Sequence, residues 1–299
     1  MKRILIAGGS GLIGKNLSDY LASKDYEISW LSRNPVPGNY PVYYWNPDKL
    51  DIDGNALIDQ DVIVNLAGSS IGEGRWTSNR KAQILNSRIA AIQTLRQKLN
   101  CLNLKFPQWI QASAIGYYGN CDAQILNEEA TVGKEDFLSR TCAIWEQEAT
   151  QIKAHVEQLS IVRTGLYLSP HGGMWPKLIQ TKKFGFLNYF GSGNQMYSWI
   201  HESDYNRAIE FLIENKSSGL FNFCTPNALS NKEMVKVICK FSTHPCFNFP
   251  VPAIILKLIL GEKARLLLNS SRVYPQHLLD SGFKFKLPEI KDAILELIG

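Results

Sequence analysis

The chain has 299 residues, is 45% apolar and 20% charged, and carries a formal net charge of +5. These are the proportions of an ordinary globular protein with room for one large core, and no basic run marks a nucleic-acid surface. The six cysteines (Cys101, Cys121, Cys142, Cys224, Cys239, Cys246) form no C-x-x-C pair and follow no secretory leader, so reduced thiols in a cytoplasmic setting are expected.

Ile4–Ala7 is a continuous apolar run, the pattern of a parallel strand covered on both faces. Residues 12–24 follow, with Ile13, Leu17 and Leu21 on one helical face. Between them, "AGGSGLIG" sets Gly8, Gly11 and Gly14 at a strand-to-helix junction. Glycine permits the tight turn and a close backbone approach to a pyrophosphate, and the helix N-terminus offers N–H donors. The loop reads as a dinucleotide site built from Gly8, Ser10, Gly11, Leu12, Ile13 and Gly14. The next strand-like run, "EISWLS" (27–32), is followed by Arg33, with no acid to hold a ribose 2′-hydroxyl. The hydroxyl of Ser32 and the guanidinium of Arg33 suit a 2′-phosphate, so NADP(H) is expected over NAD(H).

Further runs are "DVIVNLA" (61–67), "QWIQAS" (108–113) and "LSIVR" (159–163). A long amphipathic helix carrying Leu85, Ile89, Ile92, Leu95 and Leu99 lies between the first two. Repeated β-α units of this length predict an α/β, doubly wound parallel sheet. From about Leu166 the pattern loosens, with Gly, Pro and aromatic residues crowded together. "LFNFCT" (220–225) and a helix from Ser230 return to the sheet and its cover, and short helices and turns follow from about Asn248. The expected division is residues 1–245 for the dinucleotide-binding domain, with interleaved substrate-cleft segments, and 246–299 for a small α-rich lobe built on it. "PAIILKLILG" (252–261) is half the ~20 residues a membrane span needs, and its Pro and Gly punctuation reads as a short buried helix. No membrane or nucleic-acid partner is expected, and the five histidines lack metal-ligand spacing.

The glycine pattern, "VNLAG" (64–68) and "SAIGYYG" (113–119) resemble an extended short-chain dehydrogenase/reductase. "GRWTSNRKAQILNSR" (74–88), "EDFLSRTCAIWE" (135–146), "VRTGLYLSPHGG" (162–173) and "GSGNQMYSWIHESD" (191–204) narrow the likeness to the atypical epimerase-family branch, typified by the human family 39U enzyme. The likeness runs nearly end to end, and the tail resembles that branch's own C-terminal domain of unknown function. It implies a Rossmann-like fold and an NADP(H) site. Ser32 and Arg33 match the 2′-phosphate pair, and Leu66, Ala67 and Gly68 match the backbone beside the adenosine and pyrophosphate. Arg88 matches a cofactor-contacting arginine, and Leu166 a position passing the nicotinamide end.

In that superfamily the helix at 136–148, "DFLSRTCAIWEQE", carries Tyr-x-x-x-Lys, but Leu138 and Cys142 stand in those places here. Leu138 cannot move a proton, and Cys142 on an apolar stripe reads as core. Ser113 matches the superfamily hydroxyl that orients the reacting oxygen, and the proton donor is expected from Ser113, Tyr117 or Tyr118, with Tyr117, four residues past Ser113, the first choice. His201, beside Trp199, reads as structural more readily than as an acid–base group. Trp76, Trp175, Tyr197 and Trp199 are expected to line a cleft for a small, partly apolar substrate. Two readings stay open: an NADP(H)-dependent oxidoreductase or epimerase of unknown small-molecule substrate, and a non-catalytic NADP(H)-binding regulator. Some relatives' names link the second to cell division. A homodimer is left open by either.

Overall fold

The computed structural model describes residues 1–133, 136–241 and 246–298. Its centre is set by side-chain alternation. In β1 (Arg3–Ala7), Ile4 and Ile6 enter one core and Leu5 and Ala7 the other, and all four are fully buried. In β5 (Val62–Asn65), Val62 and Val64 share the first core while Ile63 joins the second. Strands with no solvent face need helices on both sides. α1 (Leu12–Ala22) and the helix Glu202–Glu214 cover the first face, burying Leu17, Leu21, Ile209 and Leu212. α2 (Ser78–Leu102) and α3 (Phe137–Thr150) cover the second, burying Ile92, Leu95, Trp145 and Ala149.

With β2 (Glu27–Ser32), β3 (Val42–Asn46), β4 (Asp51–Ile52) and β6 (Phe106–Ala114), these strands build one eight-stranded sheet. Its order is Gly219–Phe223, Val156–Thr164, β6, β5, β1, β2, β3, β4. All neighbours are parallel except β3 and β4. The chain winds outward from β1 to one edge, then returns through β5 to the other. That reversal opens a crevice at the carboxyl ends of β1 and β5, where ligands of open α/β sheets bind.

A third core, with Trp175, Trp199, Met234, Ile238, Ile294 and Leu297, joins the loop-rich segment to the C-terminal helix Ile290–Ile298. Asp204, inaccessible to solvent, fixes that connection: its carboxylate accepts from the backbone N–H of Lys286 and Leu287 and pairs with Arg207. The lobe is therefore packed into the main body.

Four expectations change. The aromatic run 42–46 is a strand that the sequence reading passed over. On α2 the buried stripe begins at Ile84, with Leu85 and Ile89 only half-buried, because the helix rests on the sheet along its C-terminal half. Cys239 and Cys246 are joined in a disulfide, where free thiols were expected. The segment 252–261 is helical over Ala253–Leu260, yet only Leu256 is buried there.

Candidate functional site

The dinucleotide loop sits at the switch point. Gly8 holds φ +85°, a conformation L side chains rarely adopt, and a side chain there would press on the Leu66 carbonyl and the Ala67 nitrogen. A Cβ at Gly14 would fall inside the van der Waals shell of the Gly8 carbonyl oxygen, so only glycine lets α1 start this close to β1. The Gly11 N–H donates to the Gly8 carbonyl and closes the turn. Helices beginning at Ser78, Phe137, Glu202 and Asn231 are each capped by a side chain, but the N-terminus of α1 has none. Its donors, beside the exposed Ser10 and Gly11 and the half-buried Leu12 and Ile13, suit an anion.

Two cations bracket the loop. At the end of β2, the Ser32 hydroxyl turns back onto Asn34, and Arg33 is largely exposed, 3.9 Å from Asp48. Arg88 is the inner cation. Its guanidinium donates to the Ser69 and Ile84 carbonyls, stacks 4.9 Å from the Trp145 ring, and lies against Gly68. Burial lowers its pKa, and among the described residues no carboxylate pairs with it. A half-buried guanidinium beside the switch point, with no carboxylate paired to it among the described residues, fits a phosphate-bearing cofactor. The residues present thus fit a dinucleotide. Leu166, half-buried, begins the strand Leu166–Ser169 that pairs with Trp199–His201 on the far side of the crevice.

At the carboxyl end of β6 the structure reveals a network the sequence reading missed. The Ser113 hydroxyl donates to Glu146 Oε1 at 2.6 Å. Arg163 grips the same carboxylate with two bonds, Nε–Oε1 at 2.9 Å and Nη2–Oε2 at 2.7 Å. Its Nη1 donates to the Tyr118 hydroxyl, which in turn donates to Asn222 Oδ1. The signal was present: one charge in an otherwise apolar strand, "LSIVR", needs a buried partner, and Glu146 stands on the apolar stripe of α3.

This network redefines the candidate hydroxyls. Tyr118 is 2% exposed with both sides of its hydroxyl engaged, and burial, only partly opposed by Arg163, lifts its pKa to about 12. Proton donation to a ligand does not suit it. Tyr117 lays its ring 3.5 Å over the Arg163 guanidinium and lines a small cavity with Ala143, Gln147 and Thr150. Those positions lie roughly 120° around α3 from Leu138 and Cys142. Gly116, by contrast, faces Leu138 and Cys142 directly. Cys142 is buried, and burial followed by the Glu146 charge pushes its thiol up to about 12. His201 is 3% exposed and caps the helix Glu202–Glu214 by accepting from the Ser203 N–H, a structural task.

Beyond α3 lies a cavity of about 1120 Å³. One wall is Gly191, Ser192 and Asn194–Met196, another the C-terminal lobe at Lys257, Glu262, Arg265 and Asn269, and Asp136 at the start of α3 closes the base. The lobe is latched there: Lys263 donates to the Gly72 and Gly74 carbonyls, Lys81 pairs with Glu262, and Arg75 donates to the Ile259 carbonyl. The aromatics expected to line this cleft do not. Trp175, Tyr197 and Trp199 belong to the third core, and Trp76 is buried against Phe137. The larger gain from enclosing big apolar rings takes them inside and leaves a lining of polar side chains mixed with Met196, Ala253, Ala264 and Leu268.

The family follows from comparison with known proteins. Residues 4–224 match the NAD dependent epimerase/dehydratase family, and residues 251–297 match a domain of unknown function, DUF1731. Epimerase family protein YfhF of Bacillus subtilis is 33% identical over 300 residues, covering 99% of this chain and 98% of its own. Epimerase family protein Mb2239 of Mycobacterium bovis is 32% identical over 293 residues, covering 97% and 96%. Among solved structures, human epimerase family protein SDR39U1 with NADPH superposes with a TM-score of 0.87 at 26% identity, covering 99% of this chain and 98% of that one. The chain belongs to the NAD dependent epimerase/dehydratase family and carries the DUF1731 domain at its C-terminus.

Proposed function

We propose that this family member is an NADP(H)-dependent oxidoreductase or epimerase acting on a small molecule, without a Tyr-Lys pair. The observation that carries the cofactor assignment is Arg88, a half-buried guanidinium at the switch point to which no carboxylate pairs among the described residues. Ser32 and Arg33, with no acid at the end of β2, favour the 2′-phosphate form, and the NADPH in the human relative's structure supports the same choice. The cavity beside Asp136, whose lining mixes polar residues with Met196, Ala253 and Leu268, would hold the part of the substrate away from the oxygen that reaches Ser113.

Bound NADPH or NADP⁺ would supply or accept the hydride. The chain's own part is to orient oxygen and hold a proton. Ser113 already donates its hydrogen to Glu146, so its oxygen is left to accept one from a substrate hydroxyl. On oxidation the hydroxyl proton passes to Ser113 Oγ as the serine proton moves to the Glu146 carboxylate, and reduction reverses both transfers. Arg163 fixes the carboxylate in place through two bonds. Of the three candidate hydroxyls, Ser113 then takes the proton-handling role in place of Tyr117.

The test combines titration calorimetry with a panel of carbonyl and alcohol compounds followed through reduced-nicotinamide absorbance. Arg33→Ala should weaken NADPH by about tenfold to a hundredfold and leave NADH unchanged. Equal wild-type affinity for the two cofactors overturns the NADP(H) assignment. Ser113→Ala should abolish turnover with cofactor affinity intact. The inert Leu138, the locked Tyr118 and the buried Cys142 favour a second reading, a non-catalytic NADP(H)-binding regulator. Tight NADPH binding with no turnover across the panel selects it.

A further inference from the structure

The helix Ala253–Leu260 wears its apolar side outward. Ile254, Ile255, Leu258 and Ile259 form one exposed stripe, with Leu258 75% accessible. On the opposite side Leu256 is buried, while Ala253 and the exposed Lys257 border the cavity. A helix seated on a protein ordinarily shows the reverse pattern. The chain enters this helix through Pro252 from the strand Phe247–Val251, which pairs in parallel with Phe186–Phe190. The register sets Phe186 beside Phe247, with Phe249 two residues on along the same face, and Phe184 stacks on Phe186. Phe184, Phe186, Phe247 and Phe249 are all exposed, so these two segments hold eight of the sixteen exposed large hydrophobics among the described residues.

Charge accompanies this surface. Residues 175–190 and 247–268 contain Lys177, Lys182, Lys183, Lys257, Lys263 and Arg265 against the single acid Glu262. Six minus one is +5, which equals the net charge of the whole chain, so the remainder sums to zero. Glu262 is paired with Lys81, and Arg265 shares Asp136. Lys263 is tied to the Gly72 and Gly74 carbonyls, so the charge offered to a surface is that of Lys177, Lys182 and the exposed Lys257. An apolar stripe in a cationic stretch of chain is the composition of a surface that settles into the headgroup layer of an anionic bilayer. A second copy would bring a like-charged face, which opposes self-association. Among the described residues no helix is long and apolar enough to cross a membrane, so the contact would be peripheral.

We propose that this face docks on an anionic lipid surface, with the helix Ala253–Leu260 lying in the plane of the headgroups. The experiment is flotation of the full chain with vesicles of phosphatidylglycerol and phosphatidylcholine in roughly equal parts, against phosphatidylcholine alone. Binding to the anionic vesicles alone, weakening as salt rises, is expected. The Ile254→Ser/Leu258→Ser variant should partition about tenfold to a hundredfold less well, since both side chains lose apolar area from the contact. Phe247→Ser/Phe249→Ser should also lose binding, and Lys182→Gln/Lys257→Gln should fall about tenfold. Unchanged unfolding midpoints confirm that these outward changes leave the fold intact. No binding to anionic vesicles, or serine variants that float like the wild type, overturns the proposal. A wild-type dimer by light scattering that Ile254→Ser/Leu258→Ser converts to monomer also overturns it, and gives the face to a second copy.

Discussion

Replacing Arg163 by Met tests the network beneath the candidate site. Arg163 is 2% exposed and makes two bonds to Glu146, one to Tyr118 and a stack on Tyr117. Methionine fills much of the same space but leaves the Glu146 carboxylate buried, with Ser113 as its remaining donor. Breaking a buried ion pair on one side costs about 3–5 kcal/mol, because the surviving charge keeps its desolvation penalty and loses its compensation. At roughly 2–4 °C per kcal/mol for a domain of this size, the midpoint should drop by about 6–20 °C. Urea titration at neutral pH gives the same quantity as a shift in midpoint at constant slope. Adding Glu146→Leu should restore part of the loss, because a buried pair replaced by apolar groups of similar size is often neutral. A single variant that loses less than about 1 kcal/mol, or a double no better than the single, refutes this account of the network.

Three further outcomes follow from the same geometry. Cys142, with its thiol pushed up to about 12, and the fully buried Cys224 should resist a thiol reagent at pH 8 that labels the exposed Cys101; rapid native labelling of Cys142 contradicts its placement. His201 is held neutral by burial, so its folded pKa lies below the unfolded value near 6.5. The unfolded chain therefore binds the extra proton first, and stability should fall as pH drops below about 6.5. His201→Asn keeps a capping acceptor and should flatten that slope in a pH series of urea midpoints; an unchanged slope removes His201 as the cause. Gly14→Ala should abolish NADPH binding by calorimetry, because its Cβ meets the Gly8 carbonyl oxygen and α1 must move off the loop; retained affinity would mean the loop tolerates that movement.

The sheet and the dinucleotide loop were legible in the sequence because both rest on local rules. A run such as Ile4–Ala7, apolar on both faces, can only be an interior parallel strand, and glycines at 8, 11 and 14 answer to backbone geometry within a few residues of themselves. That Leu138 carries no titratable group was equally readable. What the sequence left open depends on distance along the chain. Ser113, Glu146 and Arg163 are separated by 33 and 17 positions, and only the parallel register of β6 with Val156–Thr164, under α3, brings them within hydrogen-bond reach. The same holds for Tyr118, whose hydroxyl meets Asn222 from 104 residues away. The aromatic residues of the loop-rich segment were assigned to the cleft, and the helix 253–260 to the core. Hydrophobicity states how much a side chain gains by burial but not which surface is available to bury it. Packing of the C-terminal lobe decided both, enclosing Trp175 and Trp199 and leaving Leu258 in solvent.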